Sequence, residues 1–250
     1  MNKKLKITMD IGELMLLSGA EVHRVEDSVA RILRSFGAAR VDCFIITSSI
    51  VVTLHTEDGA TLTETRRINS TGTDLGRLDK LNELSRRICS GKMSLGDICA
   101  ELDKIKKMTS YPFWFEVFIY ALIAASFTVF FGGDPIQTVV SSVIGAILRF
   151  LVLFSDRTVS NTIFSKFICS AAITLLSFLS VRLGIVGKTD EIIIGNIMLL
   201  IPGLGLTNAL RDLFTGDSLA GTLRTLEAAL CAIGIALGYI VISFIAGGAI

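Results

Sequence analysis

The chain has 250 residues, of which 51% are hydrophobic and 19% are charged, and its formal net charge is +1. This composition excludes an ordinary soluble protein, and without a basic stripe no nucleic acid is expected as a partner. Residues 1–110 carry 17 Lys/Arg and 15 Asp/Glu, whereas residues 111–250 carry 7 and 8. The sequence therefore predicts a charge-rich soluble domain over 1–110 and a transmembrane helical domain over 111–250.

The first predicted helix of the soluble domain follows Ser18. In Ser18-Gly-Ala-Glu21, a serine precedes a glutamate by three residues, which is the pattern of a capping box. Apolar residues then recur at helical spacing until Gly37 ends the pattern. His23 lies on the polar face without a His or Cys at ligand spacing, so it is interpreted as a surface residue rather than a metal ligand.

Three strands and two more helices are predicted to complete an α/β domain. β-Branched and alternating segments, with an Asp58-Gly59 turn, favour strands over 41–47, 49–56 and 61–68. Leucines at helical spacing predict one helix over 74–88, and Ser94 with Asp97 forms the capping box of another. The domain contains no nucleophile elbow, P-loop or metal cluster, so we expect no catalytic residue, no cofactor and no metal.

Four apolar stretches are long enough to cross a membrane, and a fifth is interrupted. Each of the four has 19 to 21 residues, which as a helix covers about 28–31 Å of a hydrocarbon layer about 30 Å thick. They are 113–131, 136–154, 163–181 and 226–246. The fifth stretch, 192–210, is predicted to cross as a helix broken at a Pro-Gly pair; a re-entrant path would leave four spans instead of five.

Isolated charges in these spans are interpreted as interfacial. Glu116, Arg149 and Lys166 all lie within about two turns of one predicted face, so snorkelling or local pairing explains them. Lys104 and Lys106 precede the first span. Cations on that side predict a multi-pass protein of the cytoplasmic (inner) membrane with its N-terminal domain in the cytoplasm.

Polar residues follow the interruption in the fifth stretch. Pro202 removes a helical hydrogen bond, and Gly203 and Gly205 allow the freed backbone to turn. Such backbone at membrane depth must face protein or water. The polar residues of the segment are Thr207, Asn208, Arg211, Asp212 and Asp217. They could form a cavity wall for an anionic or zwitterionic solute; the alternative is a cytoplasmic loop with an Arg211–Asp212 surface pair.

Two stretches make the chain resemble the threonine/serine exporter family, in particular its first component, which has an N-terminal cytoplasmic domain. One is LSGAEVHRVE at residues 17–26, and the other is PGLGLTNALRDLFTGD at residues 202–217. The second stretch is long and specific, and the similarity extends in order along nearly the whole chain.

The resemblance implies secondary transport of small polar metabolites across the lipid bilayer, with either a hydroxy amino acid or a C4-dicarboxylate such as succinate as the small-molecule substrate. The chain ends after five predicted spans, so the resemblance also implies a small second membrane subunit, as in split members, or a homo-oligomer. The family motif matches the chain at Asn208, Arg211, Asp212 and Asp217, which implies a substrate path there. Residues Glu21, Arg24 and Glu26 match the other motif, and Arg24 and Glu26 are interpreted as structural residues that brace the soluble domain against the membrane.

Two other functions remain open from the sequence. A membrane-anchored hydrolase would need a nucleophile and a base, and only His23 and His55 supply imidazoles. A regulatory sensing module would instead bind a ligand in its soluble domain and gate a partner channel.

Overall fold

The computed structural model describes residues 1–69, 72–108, 111–158 and 161–247. Residue 110, where the predicted domain boundary falls, and residues 248–250 of the predicted second domain lie outside the described residues. In chain order the elements are α1 (Asn2–Leu17), α2 (Val22–Ser35), β1 (Ala38–Ile46), β2 (Ser49–Thr56), β3 (Thr61–Arg67), α3 (Leu75–Cys89), α4 (Leu95–Lys106), α5 (Phe113–Phe130), α6 (Pro135–Thr158), α7 (Thr162–Arg182), α8 (Asp190–Ile197), α9 (Gly203–Phe214) and α10 (Ser218–Gly247).

The chain divides into two compact units. The first comprises Met1–Thr109 with Leu204–Leu226, and the second comprises Ser110–Gly203 with Glu227–Ile250. Residues 204–226 fall within the predicted transmembrane domain, whereas in the structure they pack with the N-terminal residues. Ala220, for example, is buried in the hydrophobic core of the first unit.

The first unit is built on a three-stranded antiparallel sheet in the order β1-β2-β3. Ile45 pairs with Ile50 across the first two strands, and Leu54 pairs with Leu62 across the last two. Alternating side chains of β2 are buried against the helices, as expected for a sheet with one face on the core. The three predicted strands and the helices α2, α3 and α4 are confirmed within a few residues of their expected bounds.

Helix α1 was not predicted, and the predicted capping box at Ser18 is wrong. Helix α1 continues to Leu17, the Ser18 N–H donates to the Leu14 carbonyl at 3.0 Å, and Glu21 is the N-cap residue of α2 without a side-chain cap bond. The reason is Gly19, whose φ of +88° reverses the chain and ends α1. Ser18 therefore closes one helix instead of opening the next.

The second predicted capping box is confirmed. The Asp97 N–H donates to the Ser94 hydroxyl at 3.2 Å, and the Ser94 N–H donates to the Asp97 carboxylate at 3.3 Å. Both bonds satisfy backbone N–H groups at the start of α4, which have no acceptor inside the helix.

Four helices in the described residues are long and apolar enough to cross a membrane. The segments are Phe113–Phe130, Pro135–Ser155, Thr162–Arg182 and Ser218–Ala246. The stretch 192–210, predicted to cross as a helix broken at a Pro-Gly pair, is divided between α8, which has 8 residues and ends at Ile197, and α9, which begins at Gly203. Helix α8 covers about 12 Å, well below the roughly 30 Å of the hydrocarbon layer.

The interruption between α8 and α9 contains Pro202. Helix α9 begins at Gly203, and Gly205 lies inside its first turn. Proline lacks the N–H that a continuing helix would need, so a new helix starts after it. Helix α9 packs with the first unit, so residues 204–210 belong to that unit. They do not continue α8 as part of an apolar span.

Buried polar side chains join three helices of the second unit. The Thr128 hydroxyl donates to the Ser141 hydroxyl at 2.6 Å, and the Asn196 amide donates to the same oxygen at 2.8 Å. All three side chains are buried. Hydrogen bonds of this kind hold apolar helices together where hydrophobic burial between them contributes little.

Helices α7 and α10 approach each other closely at Gly238. A Cβ atom there would lie 2.9 Å from the Ala171 backbone nitrogen and 3.0 Å from the Ser170 Cβ. We expect Gly238→Val to cost about 1–3 kcal/mol or more, because backbone atoms cannot yield as a flexible side chain can. The measurement is the unfolding temperature of the purified protein in detergent.

Gly187→Ala is the matched control for this prediction. Among the described residues, no heavy atom lies within 4 Å of a Cβ at Gly187, so its unfolding temperature should remain that of the unchanged protein. Equal unfolding temperatures for Gly238→Val and Gly187→Ala would contradict the close approach of α7 and α10.

Candidate functional site

The two stretches that carry the family resemblance meet in the first unit. The Asn208 amide of α9 donates to the Gly19 carbonyl at 3.0 Å, across 189 residues of sequence. The Arg211 guanidinium contacts the Glu21 carboxylate at 2.9 Å. From α10, Arg224 donates to the Ala20 carbonyl at 2.8 Å. Side chains from the second stretch and from the start of α10 therefore hold the turn between α1 and α2.

Asp212 is a buried carboxylate in this junction. Its side chain is 1% exposed, and its nearest cation is Arg224, 10% exposed, with Nη1 at 3.4 Å from Oδ2. Burial raises the pKa of Asp212; the Arg224 charge lowers this pKa, and Asp217 and Glu21 raise it further. The alternative that the sequence left open, an Arg211–Asp212 surface pair, is not formed: Arg211 pairs with Glu21, and Arg224 pairs with Asp212.

A pocket of about 140 Å³ opens beside this junction. It is lined by Gly19, Ala20, Glu21, Arg24, Thr73, Leu75, Leu78, Leu204 and Asn208. The pocket is smaller than the roughly 300–1,000 Å³ of sites for drug-sized ligands, so its size suits a small metabolite. Its polar groups include a guanidinium, a carboxylate, an amide and a hydroxyl.

Gly19 allows this pocket to form. Its φ of +88° lies in the left-handed region, and a Cβ atom there would lie 2.8 Å from the Gly72 carbonyl oxygen. The Gly72 N–H donates to the Leu17 carbonyl at 3.1 Å, and the Asp74 N–H donates to the Ser18 carbonyl at 3.1 Å. Any side chain at residue 19 would push apart the two backbone segments that form one wall.

The remaining predicted site residues lie around this junction but outside the pocket. Thr207 is exposed on α9. Asp217 precedes α10, and its Oδ2 lies 3.9 Å from Nδ1 of His23. Glu26 lies on α2, where its carboxylate accepts the Ile45 N–H of β1 at 3.0 Å. Among the polar residues predicted after Pro202 and the residues of the N-terminal motif, only Glu21, Arg24 and Asn208 line the pocket.

A second, larger cavity lies in the second unit beside an ion pair. The Arg149 Nε donates to the Glu116 carboxylate at 2.8 Å, and the guanidinium also lies 5.5 Å from the Phe113 ring centre and 5.7 Å from that of Tyr120. The cavity has a volume of about 490 Å³. It is lined by Tyr111, Phe115, Glu116, Ile119, Tyr120, Arg149 and Val152.

Sequence reasoning missed Arg224 and did not assign the Glu116–Arg149 pair to a cavity. Arg224 is the last cation of the sequence, two residues before a predicted span, and that position could have identified it. Glu116 and Arg149 were interpreted as snorkelling or locally paired, and the pairing is what the structure shows.

Comparison with known proteins identifies the family of the chain. A family model described as "putative threonine/serine exporter" matches residues 6–246. A "probable threonine/serine exporter" of Mycobacterium tuberculosis is 25% identical over 244 residues, which are 96% of this chain and 45% of that protein. A "probable succinate transporter subunit YjjP" of Klebsiella aerogenes is 27% identical over 231 residues, which are 90% of this chain and 87% of that protein.

A third relative, like the first, is about twice as long as this chain. The "threonine/serine exporter" of Corynebacterium glutamicum is 23% identical over 241 residues, which are 94% of this chain and 49% of that protein. The chain thus spans about half the length of these two exporters. No solved structure matches the chain.

Four helices of the described residues are long and apolar enough to span a membrane, which is typical of a multi-pass membrane protein. The chain belongs to the threonine/serine exporter family, because the family model covers nearly all of it. The expected class, a membrane transporter, is therefore confirmed at the level of the family.

Proposed function

We propose that the chain is one module of an exporter of small polar metabolites. Family membership supports transport, and the names of the relatives suggest two substrate classes, hydroxy amino acids and a C4-dicarboxylate. The single observation that carries the proposal is the small polar pocket formed where the two family signatures meet. A solute that binds there contacts both signatures at once.

The groups around the pocket favour an amino acid over a dicarboxylate. Arg24 offers a guanidinium to one carboxylate, and Glu21 offers a carboxylate to an ammonium group. A dicarboxylate would place its second negative charge near Glu21, whose own charge is only partly offset by Arg211 at 2.9 Å. The Asn208 amide and the Thr73 hydroxyl can bond a substrate hydroxyl. We therefore propose threonine or serine as the substrate class.

The polar residues after Pro202 have different roles in this proposal. Asn208 contacts the solute, and Arg211 sets the position and charge of Glu21. Asp212 holds the junction together through Arg224, and Thr207 extends the polar surface of α9. Asp217 lies at the start of α10, outside the pocket.

We further propose that this module works with a second membrane module. The chain covers about half of two exporter relatives, and a relative that it covers to 87% is named a transporter subunit. Assembly with a copy of itself is the alternative. Lys104, Lys106 and Lys107 precede α5, which supports an inner-membrane protein whose N-terminal unit is cytoplasmic.

We expect Arg24→Gln to lower threonine efflux from loaded vesicles by roughly tenfold or more, because a lost charged hydrogen bond is worth about 1.5–3 kcal/mol. Arg24 is exposed at the pocket, so protein level and unfolding temperature should not change. Arg31→Gln is the matched control, since Arg31 lies on the same helix, exposed and paired with Asp27. Equal efflux for both variants would refute the assignment of the pocket.

Competition between substrates tests the class of solute separately. Excess unlabelled threonine should reduce efflux of labelled threonine, and excess succinate should not. Inhibition by succinate alone would reject the amino-acid assignment while leaving the exporter proposal intact. A further variant, Arg211→Ala, should strengthen discrimination against succinate, because the negative charge of Glu21 is then no longer offset by its cation.

A further inference from the structure

A histidine and two carboxylates converge on the side of the first unit where α2 meets the start of α10. His23 and Glu26 lie one turn apart on α2, so they share a face of that helix. Asp217 immediately precedes α10. One ligand atom from each of the three residues lies within 4.8 Å of the other two. This separation is close to what ligands of one metal ion require, given metal–ligand bonds of about 2.0–2.2 Å.

The spacing of these groups leaves one buried oxygen, Oδ2 of Asp217, unsatisfied. Nδ1 of His23 and Oδ2 of Asp217 are 3.9 Å apart, which is too long for a hydrogen bond. Oδ2 of Asp217 is buried and has no hydrogen-bond partner within the described part of the chain. A buried oxygen without a partner is costly, and a cation between it and the imidazole would satisfy both atoms.

Glu26 is oriented as metal-binding carboxylates usually are. The Ile45 N–H of β1 donates to its Oε1 at 3.0 Å and so fixes the carboxylate. The cluster contains two carboxylates and one imidazole, so a cation would offset negative charge there.

We propose that His23, Glu26 and Asp217 bind a divalent first-row transition metal, with Zn²⁺ or Mn²⁺ as the chemical class. An imidazole nitrogen favours these ions over Mg²⁺ and Ca²⁺, while two carboxylates suit either of them. The His23 side chain is 61% exposed, so the site is accessible from solvent. Three protein ligands leave coordination positions for water or a small anion. The ion would join α2 to the turn between α9 and α10.

Metal binding by the full chain in detergent tests this site without any transport assay. After removal of metal with a chelator, free Mn²⁺ is followed by electron paramagnetic resonance, and Zn²⁺ by competition with a chromophoric chelator. We expect one saturable site per chain. His23→Ala and Asp217→Asn should each weaken binding by roughly tenfold or more. Glu26→Gln should also weaken it, although the amide oxygen can still accept the Ile45 N–H.

His55→Ala is the matched control, because His55 is the other histidine and lies on β2, 3.6 Å from Asp42. Its metal affinity should equal that of the unchanged protein. Absence of saturable binding, or equal affinity in His23→Ala and His55→Ala, would overturn the site. His23 is exposed, so its removal should leave the fold intact, and an unchanged unfolding temperature in the chelator verifies this. The outcome is independent of whether the pocket at Arg24 binds a solute.

Discussion

Replacing Arg224 with methionine should destabilise the first unit by about 3–5 kcal/mol at neutral pH, because it leaves a buried carboxylate without its cation. Asp212 is 1% exposed and Arg224 is 10% exposed, with 3.4 Å between the charged atoms. The variant also loses the bond from Arg224 to the Ala20 carbonyl, which contributes about 1 kcal/mol. The measurement is the unfolding temperature in detergent.

The destabilisation should decrease as the pH falls. Burial places the pKa of Asp212 above its ordinary value in the folded chain, and loss of Arg224 removes an interaction that lowers this pKa. An acid with a higher pKa in the folded than in the unfolded state gains a proton on folding between the two values. Stability therefore rises as the pH falls through the folded pKa, and it is lower above that value.

A second substitution separates charge from packing. Asp212→Asn in the Arg224→Met background removes the stranded charge and should recover most of the lost stability at neutral pH. Arg31→Met, at an exposed position of α2, serves as the control and should change stability by less than about 1 kcal/mol. A double variant no more stable than Arg224→Met would show that the charge pair is not what holds this junction.

Glu116→Gln should lower the amount of folded protein in the membrane, because Arg149 then lacks its carboxylate. Both side chains are mostly buried, at 21% and 16% exposure, and they join α5 to α6. Breaking such a pair costs about 3–5 kcal/mol, and removal of both charges costs far less. Glu116→Gln with Arg149→Gln should therefore restore the protein level. The measurement is the yield of folded protein in detergent.

Transport by the double variant indicates what the pair does beyond stability. If the cavity of about 490 Å³ beside the pair belongs to the solute path, efflux should stay low in the double variant at normal protein level. Lys166→Gln is the matched control, as another single charge in an apolar helix. Full efflux in the double variant would assign the pair to helix packing alone.

Local sequence patterns were sufficient for much of the fold. The strands, three helices of the first unit and four apolar helices follow from periodicity, capping residues and length, which act over a few neighbouring residues. The same reasoning failed at Ser18, because its motif fits a helix start. The conformation of Gly19 and the contacts of the next turn make it a helix end.

The contacts within the candidate sites, in contrast, could not be predicted from local sequence. His23 was interpreted as a surface residue because no ligand lies near it in sequence, and Asp217 reaches it only through the fold. The sequence left open a surface pair between the neighbours Arg211 and Asp212, whereas in the structure Arg211 pairs with Glu21 and Asp212 pairs with Arg224. Adjacent residues on a helix point in different directions, so sequence proximity was a poor guide to charge pairing.

The sequence by itself determined that this protein is a membrane protein with a charged N-terminal part, and its signatures at residues 17–26 and 202–217 indicated the family. These properties depend on composition and short motifs, which need no knowledge of the fold. Only the tertiary structure decided that the two signatures form one junction, across 189 residues between Gly19 and Asn208. Contacts over such a separation depend on how helices pack, and no local periodicity encodes that packing.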